Sequence, residues 1–132
     1  MLADAARVEG GKLYVHGGGW DRITTADFPA THPTLAVVLV FQIEYDEALT
    51  DIPVSVIMDT EDGKTLGPRM DGMITAGHPP GTKRGVPTFH PLAITMNGLQ
   101  FESAGRYQFR VVSGEDELVR IPFTVQTVRK PS

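Results

Sequence analysis

The stretch Arg106–Gln126, RYQFRVVSGEDELVRIPFTVQ, decides the fold class. Tyr107, Phe109 and Val111 fall on one side of its first half, with Arg106, Gln108 and Arg110 on the other. Val119, Ile121, Phe123 and Val125 repeat the pattern, opposed by Arg120, Pro122, Thr124 and Gln126. Successive side chains leave a strand on opposite faces, so this alternation predicts two half-buried strands. Between them Ser113–Asp116 (SGED) is a polar turn of the right length for an antiparallel hairpin. Pro122 has no N–H to give a ladder, which places its strand at an edge or at a bulge.

The same period runs outward through the chain. Val54, Val56 and Met58 alternate with Ser55, Ile57 and Asp59, and EDGK then supplies an Asp-Gly turn before a short strand at Thr65–Leu66. Leu92, Ile94 and Met96 form another inward row, which Asn97–Gly98 is expected to stop. Leu2–Val8 and Lys12–His16 read as two strands joined across Glu9–Gly11. No segment carries a convincing helical stripe. Turn signals between so many short strands predict an all-β fold, an antiparallel β-sandwich of seven or eight strands. In LQFESAGRYQFRV, Tyr107 opens its strand where sandwich domains place a corner tyrosine, whose hydroxyl bonds backbone a few residues upstream.

Two segments do not read as strands. Thr24–Thr34 carries two prolines and predicts an irregular connection. Met70–Pro87 has four glycines and three prolines, and a long loop in a compact domain is functional or mobile. That 70–87 loop is the first place to look for a ligand or partner.

Composition narrows the function classes. The 132 residues suit a single sandwich domain, residues 1–132, with one core. A net charge of −4, with basic residues scattered no more densely than Lys83–Arg84 and Arg129–Lys130, argues against a nucleic-acid surface. No cysteine is present, so disulfides, thiol chemistry and iron–sulfur clusters are excluded. The opening MLADAARVEGG has an acid at Asp4 and does not read as a signal peptide, and Leu35–Phe41 is too short to cross a bilayer. The expectation is a cytoplasmic protein, away from membranes.

Tyr14–Trp20, YVHGGGW, imitates the oxyanion loop of esterases, in which backbone N–H groups face a carbonyl oxygen. Such a loop needs a nucleophile, usually serine in G-x-S-x-G on a strand-to-helix turn. Ser55, Ser103, Ser113 and Ser132 lack those flanking glycines, and no helices alternate with the strands. A phosphate-cradling loop would lead into a helix, which WDRITT does not offer. The glycines are better read as a strand crossing from one sheet to the other, with Trp20 plugging the core. Trp20 exposed as a platform for a small ligand or glycan is the alternative.

His16, His32, His78 and His90 share no spacing that puts two metal ligands on one face. Asp59, Glu61 and Asp62 around Gly63 lack the alternating ligands of a calcium loop and read as a hairpin turn. No cofactor is expected. A metal-dependent or hydrolytic site would have to be assembled from His78, His90 and nearby acids. His78, beside Lys83 and Arg84 in the loop, otherwise reads as a solvated residue, and with Trp20 these form the candidate binding loop.

Leu35–Tyr45 is the most informative segment for partners. Leu35, Val37, Leu39, Phe41, Ile43 and Tyr45 make one inward row, yet Ala36, Val38 and Val40 make the opposite face apolar too. A strand with one solvated face alternates cleanly. Either the chain covers that face, with Thr24–Thr34 as the nearest candidate, or another subunit does. Ala36, Val38 and Val40 are therefore the candidate interface of a protein partner or a homo-oligomer.

The opening LADAARVEGGKLYVHGGGW, with GLQFESAGRYQFRV near the end, resembles a family of small bacterial proteins with no assigned function. Its members begin L-A-D-x-A-x-V-x-x-G-K-L, continue to Gly-Gly-Gly-Trp and end in a G-x-Y-x-F-x-V strand. The resemblance implies a β-sandwich and a bacterial origin, and no activity. The function expected from the residues is thus a non-enzymatic binding or assembly module, using the apolar sheet face and the 70–87 loop.

Overall fold

The computed structural model describes residues 1–45, 51–75 and 83–128. Among them run nine strands: β1 (Leu2–Glu9), β2 (Lys12–Trp20), β3 (Arg22–Thr25), β4 (Ala30–Ile43), β5 (Asp51–Thr60), β6 (Thr65–Thr75), β7 (Thr88–Phe101), β8 (Gly105–Ser113) and β9 (Asp116–Thr127). They form a four-stranded sheet in the order β2-β1-β4-β7 and a five-stranded sheet in the order β3-β9-β8-β5-β6. The inner rows of the two sheets meet in one core, as a sandwich requires. Leu35 and Val37 of β4 are buried there with Val54, Val56 and Met58 of β5 and Phe109 and Val111 of β8.

The aromatic part of that core explains the β7–β8 corner. Phe101 meets Tyr107 edge-on at 5.0 Å, and Phe123 stacks on Phe109 at 5.0 Å. Such offset and edge-on pairs are the favoured ring geometries. The Tyr107 hydroxyl then donates to the Ser103 carbonyl at 2.6 Å, which is the corner bond expected from the sequence.

The ninth strand comes from the glycine triplet. β2 ends at Trp20 in the four-stranded sheet, and after Asp21 the chain enters β3 in the other sheet, parallel to β9. Leu2 pairs Trp20 but Ala3 pairs Gly18, so Gly19 is an extra residue, at φ +88°. Gly17 also has a positive φ, +59°. Left-handed backbone is open to glycine at little cost, so the bulge and bend fall there. Pro122 is satisfied in a related way. β3 pairs β9 only at Thr124–Thr127, which leaves Pro122 bonded to β8 alone on a locally open edge.

Three expectations are corrected. The irregular part of Thr24–Thr34 shrinks to 26–29, because β4 already begins at Ala30. Residues 70–75 of the expected loop belong to β6, an edge strand that admits Gly67 (φ +64°) and Pro68 where its register against β5 slips. Asn97–Gly98 does not end β7. Gly98 takes φ +64° opposite Pro33, and pairing with β4 resumes on both sides. In each case neighbouring strands hold a turn-forming residue inside a ladder, so tertiary pairing overrides local preference.

Candidate functional site

The two outer faces of the sandwich differ in chemistry. On the five-stranded sheet the polar groups pair with one another. The buried Asp59 carboxylate accepts from the Arg110 guanidinium and from Thr65 Oγ1 at 3.0 Å. Ser55 Oγ donates to Asp71 at 2.5 Å and accepts from Arg69 at 2.9 Å, while Arg69 also pairs with Asp71 at 2.7 Å. Arg120 pairs with Glu117 at 2.8 Å. Burial raises the Asp59 pKa, but Arg110 and Thr65 together bring it below the usual carboxylate range. Asp71 is lowered by Ser55 and Arg69. These groups hold sheet geometry and offer no unsatisfied charge to a ligand.

The outer face of the four-stranded sheet is apolar along Ala36, Val38 and Val40, and β1 and β2 lie across half of it. β1 pairs β4 only at Leu2–Val37 and Ala3–Ala36. Beyond that point the β1–β2 hairpin leaves the ladder, and both its strands touch β7, which lies beyond β4 in the sheet order. The hairpin is therefore an arm crossing over β4. Its Ala6 and Leu13 pack on the buried cluster Ala3, Ala36 and Val38. Two of the three candidate interface residues are thus covered from within the chain, by the arm and not by Thr24–Thr34. Val38 is 4% exposed and Val40 is 57% exposed.

Val40 belongs to an open half-face. It pairs Pro91 on β7, and the next outward position, Gln42, pairs Phe89, which is 65% exposed. Residues directly opposite on an antiparallel pair share a face, so Val40, Pro91 and Phe89 form one surface. The sequence held a signal for Phe89. Carrying the inward row Leu92, Ile94 and Met96 back by two puts His90 inward and Phe89 with Pro91 outward.

The candidate binding loop is not brought together. Trp20 packs half-buried against the main core, its ring 6.1 Å from that of His32 on β4, and His32 pairs Leu99. Lys83 and Arg84 sit exposed in a turn closed by Val86 N–H on the Lys83 carbonyl at 3.1 Å. That turn precedes β7 at the Thr88–Ile43 end, the opposite end of β4 from His32. His78 lies outside the described residues. His90 hydrogen-bonds Thr88 through Nε2 at 2.8 Å. Among the described residues no group of three metal-binding side chains converges, and no histidine bonds a serine.

One concavity was not legible in the sequence. β6 and β7 are the edges of their sheets on one side of the sandwich, and between them opens a slot of about 320 Å³ lined by Met70, Gly72, Leu92 and Ile94. Asp71 and Thr95 are the polar residues of its lining, and the Asp71 carboxylate is already bound to Ser55 and Arg69, so the slot offers volume and no acid–base pair.

No curated protein and no solved structure matches the chain. Residues 1–126 match the model of a family of unknown function, DUF6941. With that match running through all nine strands to the last residues of β9, the chain belongs to the family of unknown function DUF6941.

Proposed function

We propose that this protein is a non-catalytic binding or assembly module, and that it engages a protein partner through the open half of its four-stranded sheet. The observation that carries the reading is Phe89, an aromatic side chain 65% exposed on the same face as Val40. Aromatic side chains, phenylalanine included, are enriched at the cores of protein interfaces, and contiguous exposed apolar patches mark interaction sites. The self-paired charges of the other sheet support the choice of face.

Replacing Phe89 with a photoreactive phenylalanine analogue and irradiating cells that express the full chain tests the reading. A discrete covalent adduct is expected from position 89 and none from Leu118, an exposed residue of β9 on the other sheet. No adduct from position 89, or equal adducts from both, would overturn it.

A further inference from the structure

The arm has an apolar underside that its own sheet only half covers. Ala6 pairs Val15 and Val8 pairs Leu13, so these four side chains share one face of the hairpin. Ala6 and Leu13 rest on Ala36 and Val38, but Val8 and Val15 remain 39% and 37% exposed. The opposite face is polar at its centre, where Arg7 lies over the Tyr14 ring at 5.1 Å and pairs with Glu9 at 3.4 Å. The sheet shows the converse: its Ala36–Val38 half lies under the arm, and its Val40–Phe89 half has no arm above it. One contact between valine, alanine and leucine side chains is thus unfinished on both of its surfaces.

We infer that a second copy of this chain finishes it, with Val8 and Val15 of each protomer's arm lying on the Val40, Phe89 and Pro91 face of the other. A second copy is favoured because the new contact continues, with the same chemistry, an interface the chain already makes with itself. In a closed two-fold pair the contact forms twice, so a modest patch on each protomer is doubled. This inference rests on the open half-face being a docking surface, and it names the occupant.

The chain contains no cysteine, which allows a direct test. Full-length V8C and V40C chains are co-expressed and mildly oxidised, with V8C and M73C as a control pair, Met73 being an exposed residue of the other sheet. A covalent dimer is expected from the first pair, in excess of either chain alone, and not from the control. In sedimentation, wild type is expected to be dimeric in the micromolar range, with Phe89→Asp associating about tenfold or more weakly. A wild-type monomer across that range overturns the inference. So does a dimer that Phe89→Asp leaves intact and that V8C with V40C does not cross-link. The photoreactive chain separates the two claims. An adduct with a different protein overturns the second copy and keeps the docking face, whereas no adduct overturns both.

Discussion

The hydroxyl of Tyr107 donates to the carbonyl of Ser103 at 2.6 Å, tying the start of β8 to the corner that precedes it. The ring is buried between Phe101 and Phe123, so Tyr107→Phe keeps the packing and removes only this bond. The Ser103 carbonyl then loses its partner. A loss of about 1 kcal/mol is expected in urea denaturation. An unchanged midpoint would show that the corner is held by ring packing alone.

Asp59 gives the fold a predictable acid limb. Its pKa is lowered in the folded state, so the stability it contributes is fully present above the unfolded value of about 3.9 and is lost as pH falls below it. Denaturation midpoints should stay level down to about pH 5 and fall steeply below about pH 4. Asp59→Asn should flatten part of that fall, the remainder coming from Asp62 and Asp71, whose pKa values are also lowered. At neutral pH the same change should cost about 2 kcal/mol. That is less than breaking a fully buried pair, because the Arg110 side chain keeps 27% of its surface in water. An acid limb in Asp59→Asn identical to wild type would remove Asp59 from the account.

The glycine triplet should respond unequally to alanine. Gly19 has open space around it but φ +88°, so Gly19→Ala should cost about 1 kcal/mol from backbone strain alone. Gly17 adds a collision to the same strain: a Cβ there would lie 2.8 Å from Asp4 Cγ. Gly18 has no positive φ, and although its Cβ would lie 2.7 Å from Val15 Cγ1 and 2.9 Å from Met1 Sδ, both side chains are exposed and have room to shift outward. The expected order of destabilisation is Gly17→Ala, then Gly19→Ala, then Gly18→Ala. Thermal denaturation of the three variants gives it, and Gly18→Ala as the worst would mean that crowding, not backbone geometry, controls the bend.

What could be read from residues alone follows from the range of the forces involved. The alternation at Tyr107–Val111 and Val119–Val125 states strand and inward face directly, because a period of two is a local property. The corner at Tyr107 was legible for the same reason. The path of the arm was not, since nothing between Asp4 and Gly17 says that the hairpin leaves its ladder after Ala3 and crosses β4. The excess of apolar residues at Ala36, Val38 and Val40 does not say what covers that face, nor that the cover stops between Val38 and Val40. Gly72 and Gly98 misled because their local preferences for turns lose to pairing with β5 and β4.

Val38 and Val40 stand two residues apart on one face of β4 and should behave oppositely. Val38 lies beneath Ala6 and Leu13, so Val38→Asp buries an unpaired carboxylate in an apolar cluster. A loss of about 2–3 kcal/mol is expected, since a buried charge without a partner is among the largest single-residue penalties. Because the cluster lies between arm and sheet, amide exchange should rise first in β1 and β2 while the aromatic core around Phe109 stays protected. Val40→Asp places its carboxylate in water and should change stability by no more than about 0.5 kcal/mol. Its effect should appear in sedimentation, as weakened association at full stability. Equal destabilisation by both substitutions would mean that the arm does not divide this face into a covered half and an open one.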